Sequence, residues 1–272
     1  MDDFIDRFEK TIDTYPFLFN NQETANAIMK INCKRFLSTI GALLFLGLGL
    51  HAQEGRAWND KDDPTKRDTA RSISGYFTPA TKEKKIPDED GFIQRWLLLE
   101  PIQRPIRSNT VFTDSYLRKA FDTLYFKNQF TILPKNGEKV KVGGKKLTWH
   151  ALDSKNFNVK LFRFAYGLNK PVYGVLFWAV TVVNAPEEMK NVRLAVGSNS
   201  ASMWWVNGEE ALLLSGDRRM VMDDGTSTRL TLNKGRNIIR GAVINGPGMS
   251  DFCVRFLDEN GEPVKNLTIS YE

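Results

Sequence analysis

Cysteine and histidine are scarce in this sequence, with two of each among 272 residues. Two histidines are too few for a histidine-rich metal site, and two cysteines are too few for the disulfide framework of a small secreted scaffold. The sequence also lacks a run of five or six Lys or Arg, although its formal net charge is +6. This interspersed bias does not indicate a nucleic-acid interface.

Long hydrophobic segments are also rare, because only residues 36–50 form a long uncharged apolar run. Its roughly 15 residues fall short of the about 20 that a membrane-spanning helix needs. Lys30, Lys34 and Arg35 precede the run, and Ala52 follows it. A basic segment, a short apolar segment and a small residue are typical of a secretory signal peptide. We predict a signal peptide at residues 29–52 and a secreted or periplasmic protein; a buried helix is the alternative.

The domain boundaries follow from this segment. Met29 opens the basic stretch, so we expect residues 1–28 to be an upstream extension of the gene that is not translated. Residues 53–73 are polar and charged and predict a tether, and residues 74–272 would form the folded module. Removal of the signal would leave Cys253 as the sole cysteine, in an alternating pattern typical of a buried, inert thiol.

The predicted fold class is all-β, a β-sandwich with one short helix. About a dozen short apolar runs are bounded by turn residues, which is typical of a sandwich or barrel. Only Asp114–Tyr125 has helical periodicity, with Tyr116, Leu117, Ala120, Phe121 and Leu124 on one stripe. The predicted strands are Phe92–Leu99, Phe130–Leu133, Lys139–Val142, Lys146–His150, Val159–Ala165, Val172–Val183, Val192–Val196, Met203–Val206, Ala211–Leu214, Arg229–Leu232, Asn237–Ile244, Phe252–Leu257 and Val264–Ser270.

Tight turns are indicated between these runs, because Asn-Gly and similar pairs supply the positive φ that short hairpins need. The pairs lie at Asn136-Gly137, Gly143-Gly144, Asn207-Gly208, Lys234-Gly235, Asn245-Gly246 and Asn260-Gly261. The flanking strands could place one set of apolar side chains in a single core: Val206, Leu230, Leu232, Ile238 and Val243.

The C-terminal half resembles a galactose-binding-like jelly roll, an accessory module of many polysaccharide-degrading enzymes. The resemblance lies in residues 191–210, which end in Asn-Gly-Glu-Glu, and in residues 230–245, which contain Lys-Gly-Arg-Asn; residues 252–261 then lead into a Gly turn. From residue 74 onward the chain resembles the N-terminal non-catalytic module of Bacteroides-type secreted acetylxylan and feruloyl esterases. The resemblance implies an association with xylan degradation and polysaccharide utilization. The esterase domain of that family is absent from this sequence.

The sequence contains few of the residue patterns that catalysis requires. Serine hydrolysis needs a base beside the nucleophile, and His150 is the only histidine outside the predicted signal peptide. The sequence has no Gly-x-Ser-x-Gly motif; the nearest match begins at Gly197 and Ser198. A structural or glycan-contacting His150 is therefore the favoured interpretation. Adjacent carboxylates at Asp223 and Asp224 are interpreted as solvated, with a structural Ca²⁺ as an open alternative and no other cofactor expected.

Sugar binding needs flat aromatic faces with polar groups at their edges. Trp204 and Trp205 are neighbours on one strand, so they face opposite sides; one is expected in the core and the other as a sugar platform. Arg218, Arg219, Asp223 and Asp224 lie in a long polar connection, and Asn245 opens another flexible, polar segment. The candidate ligand-binding residues are Trp204, Trp205, Arg218, Arg219, Asp223, Asp224, Asn245 and His150.

The predicted function is a secreted, non-catalytic module that binds plant cell-wall polysaccharide of the xylan type or braces an esterase domain. Two alternatives remain. One is an acetylxylan esterase-type hydrolase in its own right, which would use His150. The other is a cell-surface domain that contacts another protein through an exposed apolar patch.

Overall fold

Fourteen strands and two α-helices are formed by residues 71–272, the part of the chain that the computed structural model describes. The predicted upstream extension (1–28), the signal peptide (29–52) and nearly all of the predicted tether (53–73) lie outside the described residues. The elements are β1 (Phe77–Pro79), β2 (Arg95–Leu99), β3 (Ile102–Gln103), α1 (Asp114–Asp122), β4 (Lys139–Val142), β5 (Lys145–Ser154), α2 (Leu161–Gly167), β6 (Val175–Ala185), β7 (Met189–Ser198), β8 (Ala201–Val206), β9 (Glu209–Leu214), β10 (Gly225–Thr226), β11 (Leu230–Leu232), β12 (Gly235–Asn245), β13 (Phe252–Leu257) and β14 (Thr268–Ser270).

The strands form two antiparallel sheets, which confirms the predicted all-β sandwich. The ten-stranded sheet follows the order β1-β5-β2-β6-β12-β8-β9, with β3 and β14 also paired to β6 and β4 paired to β5. The four-stranded sheet is built around β7, which pairs with β10, β11 and β13. At the centre of the larger sheet, β6 and β12 pair continuously from Gly235 opposite Ala185 to Asn245 opposite Val175.

The inter-sheet core lies between the two sheets. Trp96, Phe177 and Trp204 from the larger sheet are buried in it with Leu194 and Phe252 from the smaller sheet. Four of the five side chains predicted to share one core, Val206, Leu230, Leu232 and Val243, belong to it or pack against it. The prediction was wrong for Ile238, which packs on the opposite face. It lies five positions from Val243 on one strand, and an odd separation reverses the side-chain direction.

A second core, the outer core, covers the other face of the ten-stranded sheet. Trp149, Trp178 and Trp205 of the sheet pack there with Leu117 and Phe121 of α1. Helix α1 begins where predicted: the Thr113 side chain accepts a hydrogen bond from the Tyr116 amide at 3.3 Å, and Asp114 lies in the first turn. The protein therefore has three layers where the sequence indicated two, and strands such as β6 are buried on both faces.

Two predicted strands are not present. Leu161–Gly167 is helix α2, although a strand was predicted over Val159–Ala165, and no strand covers Phe130–Leu133. Leu161, Phe164 and Ala165 are buried at helical spacing, and an apolar run this short fits either period. No helix among residues 71–272 combines the length and apolar character needed to cross a membrane.

The predicted hairpin turn between β8 and β9 is confirmed. Asn207 and Gly208 have φ values of 53° and 92°, which suits a two-residue turn with two left-handed positions. The prediction was wrong for Gly246, whose φ is not positive. A Cβ at that position would overlap the Asn109 side chain, so Gly246 is required by close packing between two loops.

Candidate functional site

Most of the exposed large apolar side chains of residues 71–272 lie at one end of the sandwich, which we call the loop end. It comprises residues 104–113, 171–174, 199–200, 215–224 and 246–251. These segments meet because β7, β9 and β12 end there, and β6, β8 and β13 begin there in antiparallel order. Loops that a rigid sheet positions in this way are a usual location for binding residues.

Direct hydrogen bonds hold the loops together. The Asn109 Nδ2 group donates to Asp217 Oδ1 at 2.8 Å and to the Pro247 carbonyl oxygen at 3.1 Å. The Gly216 amide donates to the Phe112 carbonyl oxygen at 2.8 Å. Three segments distant in sequence are thus fixed to one another, and the loop end has a defined surface.

Asn245, a predicted ligand contact, is a structural support beneath this surface. Its side chain is fully buried, and its Nδ2 group donates to the Val172 carbonyl oxygen at 3.0 Å and the Gly248 carbonyl oxygen at 3.1 Å. Its Oδ1 atom accepts from the Ser200 hydroxyl at 2.9 Å. Because the two bonded carbonyls directly precede Tyr173 and Met249, one buried amide holds both residues in place.

The exposed apolar side chains are concentrated at the loop end. Among residues 71–272, seven large apolar side chains are exposed, and all but Ile86 and Leu124 lie there. The five at the loop end are Val111, Tyr173, Val221, Met222 and Met249. Tyr173 is 55% exposed, and its ring packs 5.8 Å from the Phe162 ring of α2. It is the exposed aromatic face that a sugar platform requires.

A buried carboxylate lies under the same corner. Asp251 Oδ2 accepts hydrogen bonds from Asn158 Nδ2 at 2.8 Å and Lys160 Nζ at 2.9 Å. The amide of Phe162 donates to the Ser250 carbonyl oxygen at 2.9 Å, which ties α2 to this loop. The loop that carries Met249 is therefore fixed to α2, and the Phe162 ring of α2 packs against Tyr173.

Trp204 and Trp205 face opposite sides of the sheet, as predicted, but neither ring is open to solvent. Trp204 is fully buried in the inter-sheet core, with its ring 5.0 Å from that of Phe252. Trp205 is 6% exposed and stacks on Trp178 at 5.6 Å in the outer core. The platform expected of one of them is missing because α1 and its flanking segment cover the outer face.

Three of the four charged candidates in the long polar connection form ion pairs, and only one of these pairs lies within the connection. Arg218 contacts the Asp224 carboxylate, and Arg255 Nε donates to Asp223 Oδ1 at 3.0 Å. Arg219 is exposed and has no ion-pair partner within residues 71–272. The two carboxylates considered for Ca²⁺ thus point at guanidinium groups. In the described part of the chain, no group of three or more His, Cys, Asp or Glu side chains could hold a metal ion.

His150 faces a carboxylate. Its Nε2 atom lies 3.7 Å from Glu100 Oε1, and Lys170 Nζ lies 3.0 Å from the other oxygen of Glu100. Burial lowers the pKa of His150 below its usual value, and Glu100 opposes that shift. No serine hydroxyl of residues 71–272 is hydrogen-bonded to His150. Ser198 and Ser200, in the weak match to the hydrolase motif, are buried and bonded to the Ser200 carbonyl and to Asn245.

Cys253 is buried, as the strand pattern predicted. Burial raises the pKa of its thiol to about 12, so the thiolate is scarce at neutral pH. Its Sγ atom lies 3.9 Å from Met220 Sδ, where it packs beneath the loop that carries Val221 and Met222.

A shallow groove of about 230 Å³ lies at the opposite end of the sandwich, between β9 and β11. Glu210 on its wall is paired with Arg118 Nη1 at 2.7 Å. No aromatic side chain lines this groove. It therefore lacks the flat ring that carbohydrate stacking uses, and the loop end is the better candidate site.

Sequence reasoning missed Tyr173 and Met249. The strand predicted over Val172–Val183 included Tyr173, whereas β6 begins only at Val175. Pro171 and Gly174 flank the tyrosine, and these two turn residues were the available signal for an exposed corner. Met249 lies in the segment after Asn245 that was predicted as a flexible loop, and Asn245 was the only residue of that segment predicted as a ligand contact.

No protein-family model matches the chain, and no curated protein matches it significantly. Among solved structures, it is similar to a PA14 sugar-binding domain from an RTX adhesin, with 11% identity over 64% of this chain and 96% of that chain, and a TM-score of 0.38. The PA14 domain of the antifreeze protein MpAFP gives 11% identity, coverage of 70% and 96%, and a TM-score of 0.37. A β-glucosidase from Kluyveromyces marxianus gives 15% identity, coverage of 60% and 15%, and a TM-score of 0.30. Likenesses at this level do not assign a function.

Proposed function

We propose that the chain is a carbohydrate-binding module and that the loop end is its binding face. The observation that carries the proposal is the Tyr173 ring, which is 55% exposed and is backed by Phe162. A ring that is held by packing and is also largely open to solvent can stack on the C–H surface of a pyranose with little loss of conformational entropy.

The surroundings of Tyr173 suit such a ligand. Met249 is 42% exposed on the adjacent loop and extends the apolar surface. Lys160 Nζ, which is 2.9 Å from Asp251 Oδ2, precedes α2 in the chain and would donate to sugar hydroxyls. The hydrogen bonds of Asn245 and Asn109 keep these loops in position before the ligand arrives, which lowers the cost of binding.

Two finer parts of the proposal rest on the sequence resemblance: that the polysaccharide is of the plant cell-wall xylan type, and that the module acts beside an esterase domain. A third, that residues 29–52 direct secretion, rests on the signal-peptide pattern of those residues. In this role the module would have no chemistry of its own: it would hold a polysaccharide near an enzyme that modifies it.

Affinity electrophoresis of the purified protein in gels that contain xylan, arabinoxylan or pectin tests the proposal. Retardation of the wild type by at least one of them is expected. Tyr173→Ala should weaken binding by about tenfold, since aromatic stacking contributes about 0.5–1.5 kcal/mol and about 1.4 kcal/mol corresponds to a tenfold change. Tyr173→Phe keeps the ring and should retain most of the affinity.

Ile86→Ala is the matched control, because Ile86 is 67% exposed and lies outside the loop end. It should leave the retardation unchanged. A folded wild type that no polysaccharide retards, or a Tyr173→Ala variant that binds like the wild type, would refute the assignment of the loop end.

A further inference from the structure

The outer core contains buried hydrogen-bond donors that no described residue satisfies. The indole Nε1 groups of Trp149 and Trp178 are enclosed and have no acceptor among residues 71–272. In the inter-sheet core, by contrast, Trp96 Nε1 donates to the Ile93 carbonyl oxygen at 2.7 Å and Trp204 Nε1 to the Ser202 hydroxyl at 2.9 Å. Buried indole N–H groups normally have a partner, so the exceptions on one face of one sheet require an explanation.

Arg240 lies on the same face, and it too has fewer acceptors than donors among residues 71–272. Its side chain belongs to a residue only 3% exposed, and its one acceptor among the described residues is the Ile132 carbonyl oxygen, bonded to Nη1. A guanidinium has five N–H donors. Burial lowers the pKa of Arg240 to about 10, with no carboxylate near enough to oppose the shift. A buried cation is normally paired with an anion.

Strand register places Arg240 next to two tryptophans of the outer core. Trp205 on β8 lies directly opposite Arg240 on β12. On the other side of β12, Val180 lies opposite Arg240 and Trp178 opposite Ala242, so Trp178 is its diagonal neighbour on the same face. The rings of Trp178 and Trp205 stack at 5.6 Å. The remaining N–H groups of Arg240 are not enclosed, so a small solute can reach them.

We propose that the Arg240 guanidinium, beside the stacked rings of Trp178 and Trp205, is a binding site for a small oxyanion, either a carboxylate or an inorganic oxyanion. A planar guanidinium binds two oxygens of such an anion side by side. The aromatic rings beside Arg240 lower the local dielectric, which strengthens such bonds. The site is separate from the loop end and does not depend on carbohydrate binding.

Nuclear magnetic resonance of the purified protein labelled with ¹⁵N-tryptophan tests the proposal. Sodium acetate and sodium phosphate are titrated in separate arms, with sodium chloride at matched ionic strength as the reference. The indole signals of Trp178 and Trp205 should shift saturably in at least one arm. The signals of Trp96 and Trp204 should not move, because their donors are already bonded. Acetate alone would identify a carboxylate site and phosphate alone an inorganic oxyanion site.

Arg240→Met removes the charge and should abolish the shifts, whereas the exposed control Arg219→Gln should keep them. If Arg240→Met does not fold, Arg240→Lys retains the charge and should weaken binding by about tenfold, because lysine lacks the fork geometry. Absence of a saturable shift in both arms, equal shifts in all tryptophans, or an identical response to chloride would overturn the proposal.

Discussion

Tryptophans on the two faces of the ten-stranded sheet differ in the hydrogen bonding of their indole N–H groups. On the inner face, Trp96 and Trp204 each find an acceptor within three residues of their own position, the Ile93 carbonyl and the Ser202 hydroxyl. On the outer face, Trp149 and Trp178 pack against Phe126 edge-on, and their N–H groups have no acceptor in the described chain. The indole donors on the inner face are therefore satisfied within the chain, whereas two indole donors on the outer face are buried without an acceptor among residues 71–272.

Two buried arginines on the outer face also differ in whether their hydrogen-bond donors have partners. Arg95 and Arg240 are each 3% exposed. Arg95 meets both carboxylate oxygens of Asp153 at 2.8 and 2.9 Å, whereas Arg240 has one carbonyl. Asp153 lies directly across the strand pair from Arg95, and the residues opposite Arg240 are Val180 and Trp205. Cross-strand register decides which buried charge has a partner within the chain.

The largest expected effect comes from removing the carboxylate partner of Arg95, which would then, like Arg240, have no carboxylate beside it. Asp153→Ala leaves the buried guanidinium without its carboxylate and should lower the free energy of unfolding by about 3–5 kcal/mol. Urea denaturation followed by tryptophan fluorescence measures the change.

Asp224→Ala is the control for that measurement, because its partner Arg218 is more exposed and the pair should contribute about 0–1 kcal/mol. A loss below about 1 kcal/mol for Asp153→Ala would show that this face tolerates an unpaired guanidinium. Arg240 would then need no anion, and the contrast between the two arginines would disappear.

A smaller effect compares tryptophans on the two faces. Trp96→Phe and Trp178→Phe remove similar ring volume, but only the first leaves a buried acceptor, the Ile93 carbonyl, without its donor. In buffer free of oxyanions, Trp96→Phe should therefore cost about 1–3 kcal/mol more than Trp178→Phe. Equal losses in the free energy of unfolding would mean that the Trp178 N–H also has a partner, and the two faces would be equivalent.

The sequence predicted the inner half of the molecule well and the outer half poorly. Strands such as Phe252–Leu257 and the turn at Asn207 and Gly208 follow from local patterns, and the structure has them there. The outer layer follows from contacts between the segment around α1 and β6, which lie far apart in sequence. The long apolar run of β6 signals burial on both faces, but it does not name the covering segment.

The candidate site shows the same limit. Asn245 was predicted to open a flexible, polar segment, but it is the last residue of β12, and whether its amide faces a ligand or the Val172 carbonyl depends on where a distant loop packs. Tyr173 was included in a predicted strand because only one residue, Gly174, separates it from the start of β6. Composition indicates which residue types can bind a sugar, and only the tertiary fold decides which of them are exposed.

The smallest expected effect is at the rim of the inter-sheet core, where His150 packs edge-on against Phe164 at 5.5 Å. Its charged neighbours are Glu100 and Lys170. Because burial lowers the pKa of His150 in the folded state, the unfolded chain binds more protons, and its contribution to stability is present above pH about 6.5 and is lost as the pH falls below that value. Urea midpoints at pH 7.5 and 5.0 should therefore differ more for the wild type than for His150→Gln. An identical pH dependence in both proteins would mean that the imidazole titrates as in the unfolded chain. Burial of His150 at this rim would then have no effect on stability, in contrast to the burial of Arg240 on the outer face.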